Sequence, residues 1–209
     1  MKTSAILIDA LLQSKSIIIN PANPFRWASG WNSPIYCDNR RTLSYPDIRS
    51  LIRDAFIEII NTRMGMPDLI AGVATGAIAH AALVADKTDL PLVYVRTSPK
   101  SHGTQSVIEG DISNSKTVVI IEDLISTGTS SLLAAKALKD AGLEVLGMAA
   151  IFTYGFRIAE QNFMEAGIKL FTITNYDELI EQVLRINYIN PSDMDILREW
   201  RKSPDTWGK

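Results

Sequence analysis

The sequence holds a single cysteine among 209 residues. It therefore has no intrachain disulfide, and a reducing cytoplasm is the expected compartment. It also lacks an excess of basic charge: 21 lysines and arginines against 23 acids give a net charge of −2. That balance excludes a global field recruiting nucleic acid or an anionic membrane. Long apolar runs are missing, the longest falling well short of the ~20 residues that cross a bilayer. The segment MKTSAILIDALLQSKS places Ile6, Leu7, Ala10 and Leu11 at helical spacing with Asp9 among them. It has neither the unbroken apolar core nor the small-residue cleavage site of a secretion signal. Repeats and low-complexity segments are absent. Two common phosphate loops are missing as well. The only Gly-Lys pair is Gly208-Lys209, which excludes a P-loop, and Gly128 stands alone in its turn, which excludes a Gly-x-Gly-x-x-Gly fingerprint.

What is present alternates between two periods. Apolar residues recur at helical spacing over 3–14, 46–64, 78–88, 129–141, 157–166, 176–186 and 191–202. Short apolar runs at 68–73, 91–96, 117–122, 144–153 and 169–174 read as buried strands. Such alternation predicts a parallel sheet with helices on both faces. The length suits one α/β domain with a large core. Residues 16–37 break the pattern with Pro21, Pro24, Pro34 and several aromatics, and read as short strands and turns packed over something.

The most informative stretch is TVVIIEDLISTGTSS, Thr117 to Ser131. Val118, Val119, Ile120 and Ile121 read as a fully buried strand of the kind found in parallel sheets. Glu122 and Asp123 follow, then the turn Ser126-Thr127-Gly128-Thr129-Ser130 and a helical run. A strand passing to a helix through such a turn aims backbone N–H groups and hydroxyls at one point, at the positive end of the helix, where a phosphate fits. Carboxylates beside that point would repel the phosphate unless they face sugar hydroxyls or a hydrated metal. Phosphate and polyol together indicate a phosphorylated sugar. The alternative, a strand, a capping hydroxyl and a solvated acid pair, explains each feature singly but not their order.

Two further segments carry chemistry. In GVATGAIAH (72–80) small residues bring backbone close to a ligand at a strand end. Taken alone it is an ordinary strand-to-helix turn, with His80 a packed or interface residue. Arg96 opens a polar run, Arg96-Thr97-Ser98-Pro99-Lys100-Ser101-His102-Gly103, without hydrophobic period. Three actual or potential cations in such a loop suit a lid over an anionic leaving group.

The run 117–131 resembles the phosphoribosyl-diphosphate (PRPP) motif of type I phosphoribosyltransferases. The spacing Arg-x-x-x-Lys-x-His-Gly, the following IEGDI (108–112), the hood-like PFRWASGWNSPIYCDNRRTLSYPDIR (24–49) and IFTYGF (151–156) are similar to the orotate-specific branch. The resemblance covers nearly the whole chain. It implies a type I phosphoribosyltransferase-like parallel sheet flanked by helices in one domain, with residues 1–45 forming an N-terminal helix and hood and 46–209 the core. It implies transfer of the phosphoribosyl group of PRPP to orotate, giving orotidine monophosphate and diphosphate through an oxocarbenium-like transition state. Arg96, Lys100, His102 and Asp123 would be catalytic. PRPP would also meet Glu122, Leu124, Ile125, Ser126, Thr127, Gly128, Thr129, Ser130, Thr75 and Gly76. Orotate would meet Ser126, Tyr36 and Cys37. Mg²⁺ would be held mainly through PRPP, with Glu122 and Asp123 nearby and no direct protein ligand set. A homodimer is implied, its 97–107 loop reaching the neighbouring site.

The chain departs from that pattern in its cations. Many members have lysine where Ala28 stands, some an extra lysine at Thr97 or Ser98, and some an arginine within Thr153-Tyr154-Gly155. Each charge-assisted contact contributes ~1.5–3 kcal/mol, so compensation is expected, with Arg26, Arg40, Arg41 and Arg157 as candidates. A purine phosphoribosyltransferase would not need the hood or the 96–103 loop. A PRPP-sensing regulator that binds nucleic acid would need a basic face or an added domain.

Overall fold

The computed structural model describes residues 3–96 and 107–208. A first helix, α1 (Thr3–Gln13), leads into short strands β1 (Ile17–Ile19), β2 (Phe25–Arg26), β3 (Asn32–Ser33) and β4 (Ile35–Cys37). β1 pairs antiparallel with β4 and β2 with β3, giving two small ribbons instead of an extension of the main sheet. A 3₁₀ turn (Asn39–Ser44) then delivers the chain to α2 (Pro46–Ile59), whose proline fills the first helical position.

From there strands and helices alternate as their periods predict: β5 (Leu69–Val73), α3 (Ile78–Thr88), β6 (Leu92–Val95), β7 (Ile108–Glu109), β8 (Thr117–Ile125), α4 (Thr129–Asp140), β9 (Glu144–Thr153), α5 (Arg157–Glu165), β10 (Leu170–Asn175), α6 (Tyr176–Arg185) and α7 (Pro191–Lys202). The sheet order is β10-β9-β8-β5-β6-β7. All neighbours are parallel except β6 and β7.

Side chains of β8 show how the sheet is covered. Val119 and Ile121 point into a core shared with α1, α2, α3, α6 and α7. Val118, Ile120 and Ile125 point the other way, against α4 and α5. Burial on both faces explains the unbroken β-branched run.

Three local features differ from the periodic reading. The strand expected over 117–122 continues through Glu122 and Asp123 to Ile125, so the acid pair lies inside β8 and not after it. β7 is a two-residue antiparallel edge strand that the sequence does not announce. The helix expected over 46–64 is α-helical to Ile59 and closes with a π turn, Ile60–Met64, in which the Gly65 N–H donates to the Ile60 carbonyl at 2.9 Å.

An aromatic cluster joins the hood ribbons to the end of the chain. Trp27 packs on Tyr154, Phe156 and Trp200, with ring centroids 4.9, 6.4 and 5.8 Å apart. Trp200 is fully buried, and its indole N–H donates to the Asn32 carbonyl at 3.1 Å. Phe56 is fully buried between α2 and the sheet. Truncating it to alanine is expected to cost about 3–5 kcal/mol, read as a lower midpoint in urea unfolding at unchanged slope.

Candidate active site

The carboxyl ends of β5 and β8 lie side by side and frame a cavity of about 420 Å³. Its floor is Glu122, Asp123 and Leu124, and one wall is the turn after β5, with Thr75 and Gly76. Ser130 closes the side of the phosphate-type turn, and Cys37, Asp38 and Arg40 roof it from the hood. Residues selected from three separate segments of the sequence therefore meet in one place. The Ala74–Thr75 peptide is cis.

Glu122 is buried near the strand end, and Asp123 is half-buried beside it. Glu122 accepts from the Ser131 hydroxyl at 2.7 Å and from the Asp123 N–H at 2.8 Å. Burial, reinforced by the Asp123 charge, pushes its carboxyl well above the usual carboxylate range. Burial also raises Asp123, although Arg40 pulls against it. Asn39 donates to the Asp123 carbonyl at 2.6 Å and fastens the hood to the strand. Gly76 leaves room for the Asp123 carboxyl: a Cβ there would stand 2.1 Å from Asp123 Oδ2, so that side chain would have to move.

The turn 126–130 is built to leave donors exposed. Gly128 caps α4 with φ +77°, a conformation that favours glycine, and a Cβ on it would meet the Phe163 ring at 2.6 Å. The first N–H groups of α4 have no partner within their helix and point out of its N-terminus. The Thr127 and Thr129 hydroxyls are 3.1 Å apart, and Asn162 donates to the Thr127 carbonyl at 2.9 Å. Ile125 is buried in the core beneath, its carbonyl accepting from the Tyr154 N–H at 3.1 Å. That bond sets the segment after β9 beside Ser126.

Other expected residues are placed differently. Tyr36 is partly exposed and packs on Phe25 at 5.5 Å, while its neighbour Cys37 lines the cavity. Burial, then the Asp123 and Asp38 charges, push the Cys37 thiol up. Arg96 lies at the end of β6, its Nη1 3.7 Å from Glu109 Oε1. Lys100 and His102 lie outside the described residues. His80 is buried under the hood, 3.4 Å from the Thr42 hydroxyl, and burial lowers it to about 4. It is a packed neutral imidazole.

Of the candidate compensating cations, Arg40 pairs with Asp38 at 2.6 Å, and Arg41 donates to the Ser14 carbonyl at 3.1 Å. Arg26 is exposed on β2. Arg157 lines a second cavity, about 640 Å³, on the far side of Thr127. Arg201 lines the same cavity and donates to the Gly155 carbonyl. No motif marks this arginine, since it belongs to the polar pattern of a terminal helix. Asn39 carries no signal either, because by type and context it is an ordinary turn residue.

Comparison with known proteins agrees with this geometry. Residues 42–179 match the phosphoribosyl transferase domain family. The chain is 57% identical to an orotate phosphoribosyltransferase of Porphyromonas gingivalis over 209 residues, all of both chains. The chain belongs to the orotate phosphoribosyltransferases. Among solved structures, that of an orotate phosphoribosyltransferase from Aeropyrum pernix matches with a TM-score of 0.76 at 27% identity, covering 88% of this chain and 99% of the other. The Leishmania donovani UMP synthase matches with a TM-score of 0.79 at 27% identity. There the match covers 95% of this chain but only 42% of that longer one.

Two substitutions test the acid pair. Gly76→Ala forces the Asp123 side chain out of position and is expected to lower turnover roughly tenfold or more with little loss of Tm. Glu122→Gln separates charge from shape. A raised carboxyl stabilises the fold fully below its unfolded value and loses that contribution as pH rises through the folded value. The glutamine variant is therefore expected to melt above the parent at about pH 8, with the gap closing toward about pH 4 in thermal scans.

Proposed function

We propose that the chain transfers the phosphoribosyl group of PRPP to N1 of orotate, releasing diphosphate and forming orotidine 5′-monophosphate, a step of pyrimidine biosynthesis. The observation that carries this reading is the meeting of an α4 N-terminal turn, the Glu122–Asp123 pair and the glycine-bearing turn after β5 around one cavity.

On this reading Ser126, Thr127, Gly128, Thr129 and Ser130 hold the 5′-phosphate through N–H groups and hydroxyls. Asp123 takes a ribose hydroxyl from the open side of the cavity. Glu122 braces it from below through Ser131 and the shared backbone. The negative charge of the pair stabilises the ring as it becomes positive. Thr75 and Gly76 line the diphosphate pocket, and Leu124 and Ile125 supply the apolar floor. Arg96, Lys100 and His102 neutralise the departing diphosphate, Lys100 leading. Cys37 and Ser126 flank the base, with Tyr36 at its outer edge.

Among the described residues no group of three or more metal-ligating side chains exists. The donors present, Asp123 and Glu122 beside a diphosphate pocket, suit a hydrated ion held mainly by the substrate's oxygens. Mg²⁺ bound so would neutralise diphosphate charge. We further propose a single domain, a homodimer in which the 97–107 loop serves the neighbouring site, and a cytoplasmic location. No helix among the described residues is long and apolar enough to cross a membrane.

The test is the loss of orotate absorbance with protein, PRPP and Mg²⁺. Consumption that requires every component is expected, falling about 10²-fold or more in Lys100→Ala. Binding of PRPP without orotate consumption would overturn the acceptor assignment.

A further inference from the structure

Orotate is planar and carries a carboxylate, so its site needs flat apolar walls and a cation. With Cys37 and Ser126 beside the base, the cavity over the acid pair still lacks a free cation for the carboxylate: its one described cation, Arg40, is already paired with Asp38. The second cavity, which begins at Thr127 next to Ser126, offers ring faces and cations at that edge. Trp31 and Phe156 supply ring faces, and Arg157, Arg201 and Lys202 supply positive charge against Asp205. Thr127 of the phosphate-type turn lines it, so it adjoins the place where the ribose 5′-end is held.

Arg201 is the best placed of the three. Its guanidinium reaches from α7 to the segment after β9, donating to the Gly155 carbonyl. It lies where a side chain on residue 155 would begin, Nη2 being 2.9 Å from an ideal Cβ built there. It sits 5.7 Å from the Phe156 ring centroid and 5.6 Å from that of Tyr176, which fixes the plane of the guanidinium. Its Nε is buried without a hydrogen-bond partner. Gly155 itself follows Tyr154, whose N–H is bonded to the Ile125 carbonyl at the mouth of the turn.

We propose that Arg201 is the acceptor-selecting cation, reaching from α7 to hold the carboxylate of orotate. This rests on the reading of orotate as acceptor. A planar fork suits a carboxylate, and a site built around one discriminates against bases that lack it.

The test uses the full chain and compares Arg201→Gln with Arg201→Lys. Glutamine keeps a donor for the Gly155 carbonyl and removes the charge. The expected result is an orotate KM raised about tenfold or more in R201Q, a PRPP KM within about twofold of the parent, and a smaller rise in R201K. A merely structural role would instead move both KM values, or lower kcat alone. An unchanged orotate KM in R201Q, or equal changes in both KM values, overturns the inference while leaving the orotate reading intact. Should R201Q fail to fold, R201K decides through its preference for orotate over uracil, which lacks the carboxylate. A preference kept in R201K supports the inference, and a preference lost with the charge still present overturns it. Parent protein that consumes no orotate removes the acceptor assignment and this inference together.

Discussion

Two carboxyl groups on consecutive residues of a buried strand cannot both ionise without compensation, and the surroundings of β8 answer to that constraint. Ser131 and the Asp123 N–H hold Glu122 from below. Asn39 fixes the Asp123 carbonyl from the hood, and the missing side chain of Gly76 leaves room for the Asp123 carboxyl. Ser131, Asn39 and Gly76 each come from a different element. The acid pair thus orders the hood, the turn after β5 and the first turn of α4 around one point.

The second organising feature is apolar. Trp27, Tyr154, Phe156, Tyr176 and Trp200 interlock through tilted, stacked and edge-on contacts. The cluster ties the hood to the ends of β9 and β10 and to α7. It gives Arg201 a rigid base, since Trp200 precedes it and is held by rings from the hood and from the sheet. Polar groups at the rim are therefore positioned by aromatic packing, most of it beneath the cavity surface.

Much of this was legible in the sequence for physical reasons. The β-branched run before Glu122 reports burial on both faces, and the small-residue turn that follows reports a helix start, so the sheet and the phosphate-type turn could be read directly. Strand ends could not. β8 continues to Ile125 because its partner β9 continues to Thr153, a pairing that no local pattern encodes. β7 is too short to have a period. Asn39 and Arg201 were invisible because their roles arise from contacts across 84 and 46 residues, and each is of a type common in turns and exposed helix faces. Which of Tyr36 and Cys37 faces the cavity was equally out of reach: adjacent strand residues face opposite sides, and Cys37 took the inward one.

The bond from Trp200 to Asn32 spans 168 residues, and Asn32 in turn donates to the Gly208 carbonyl. A chain emerging from the ribosome completes its sheet from β5 to β10 while this ribbon still lacks its counterpart. Asn39 and Trp27 can hold the hood to β8 and to the segment after β9 before that point. Only the bonds from Asn32 to α7 and to Gly208 have to wait until the sheet's strands have all been made.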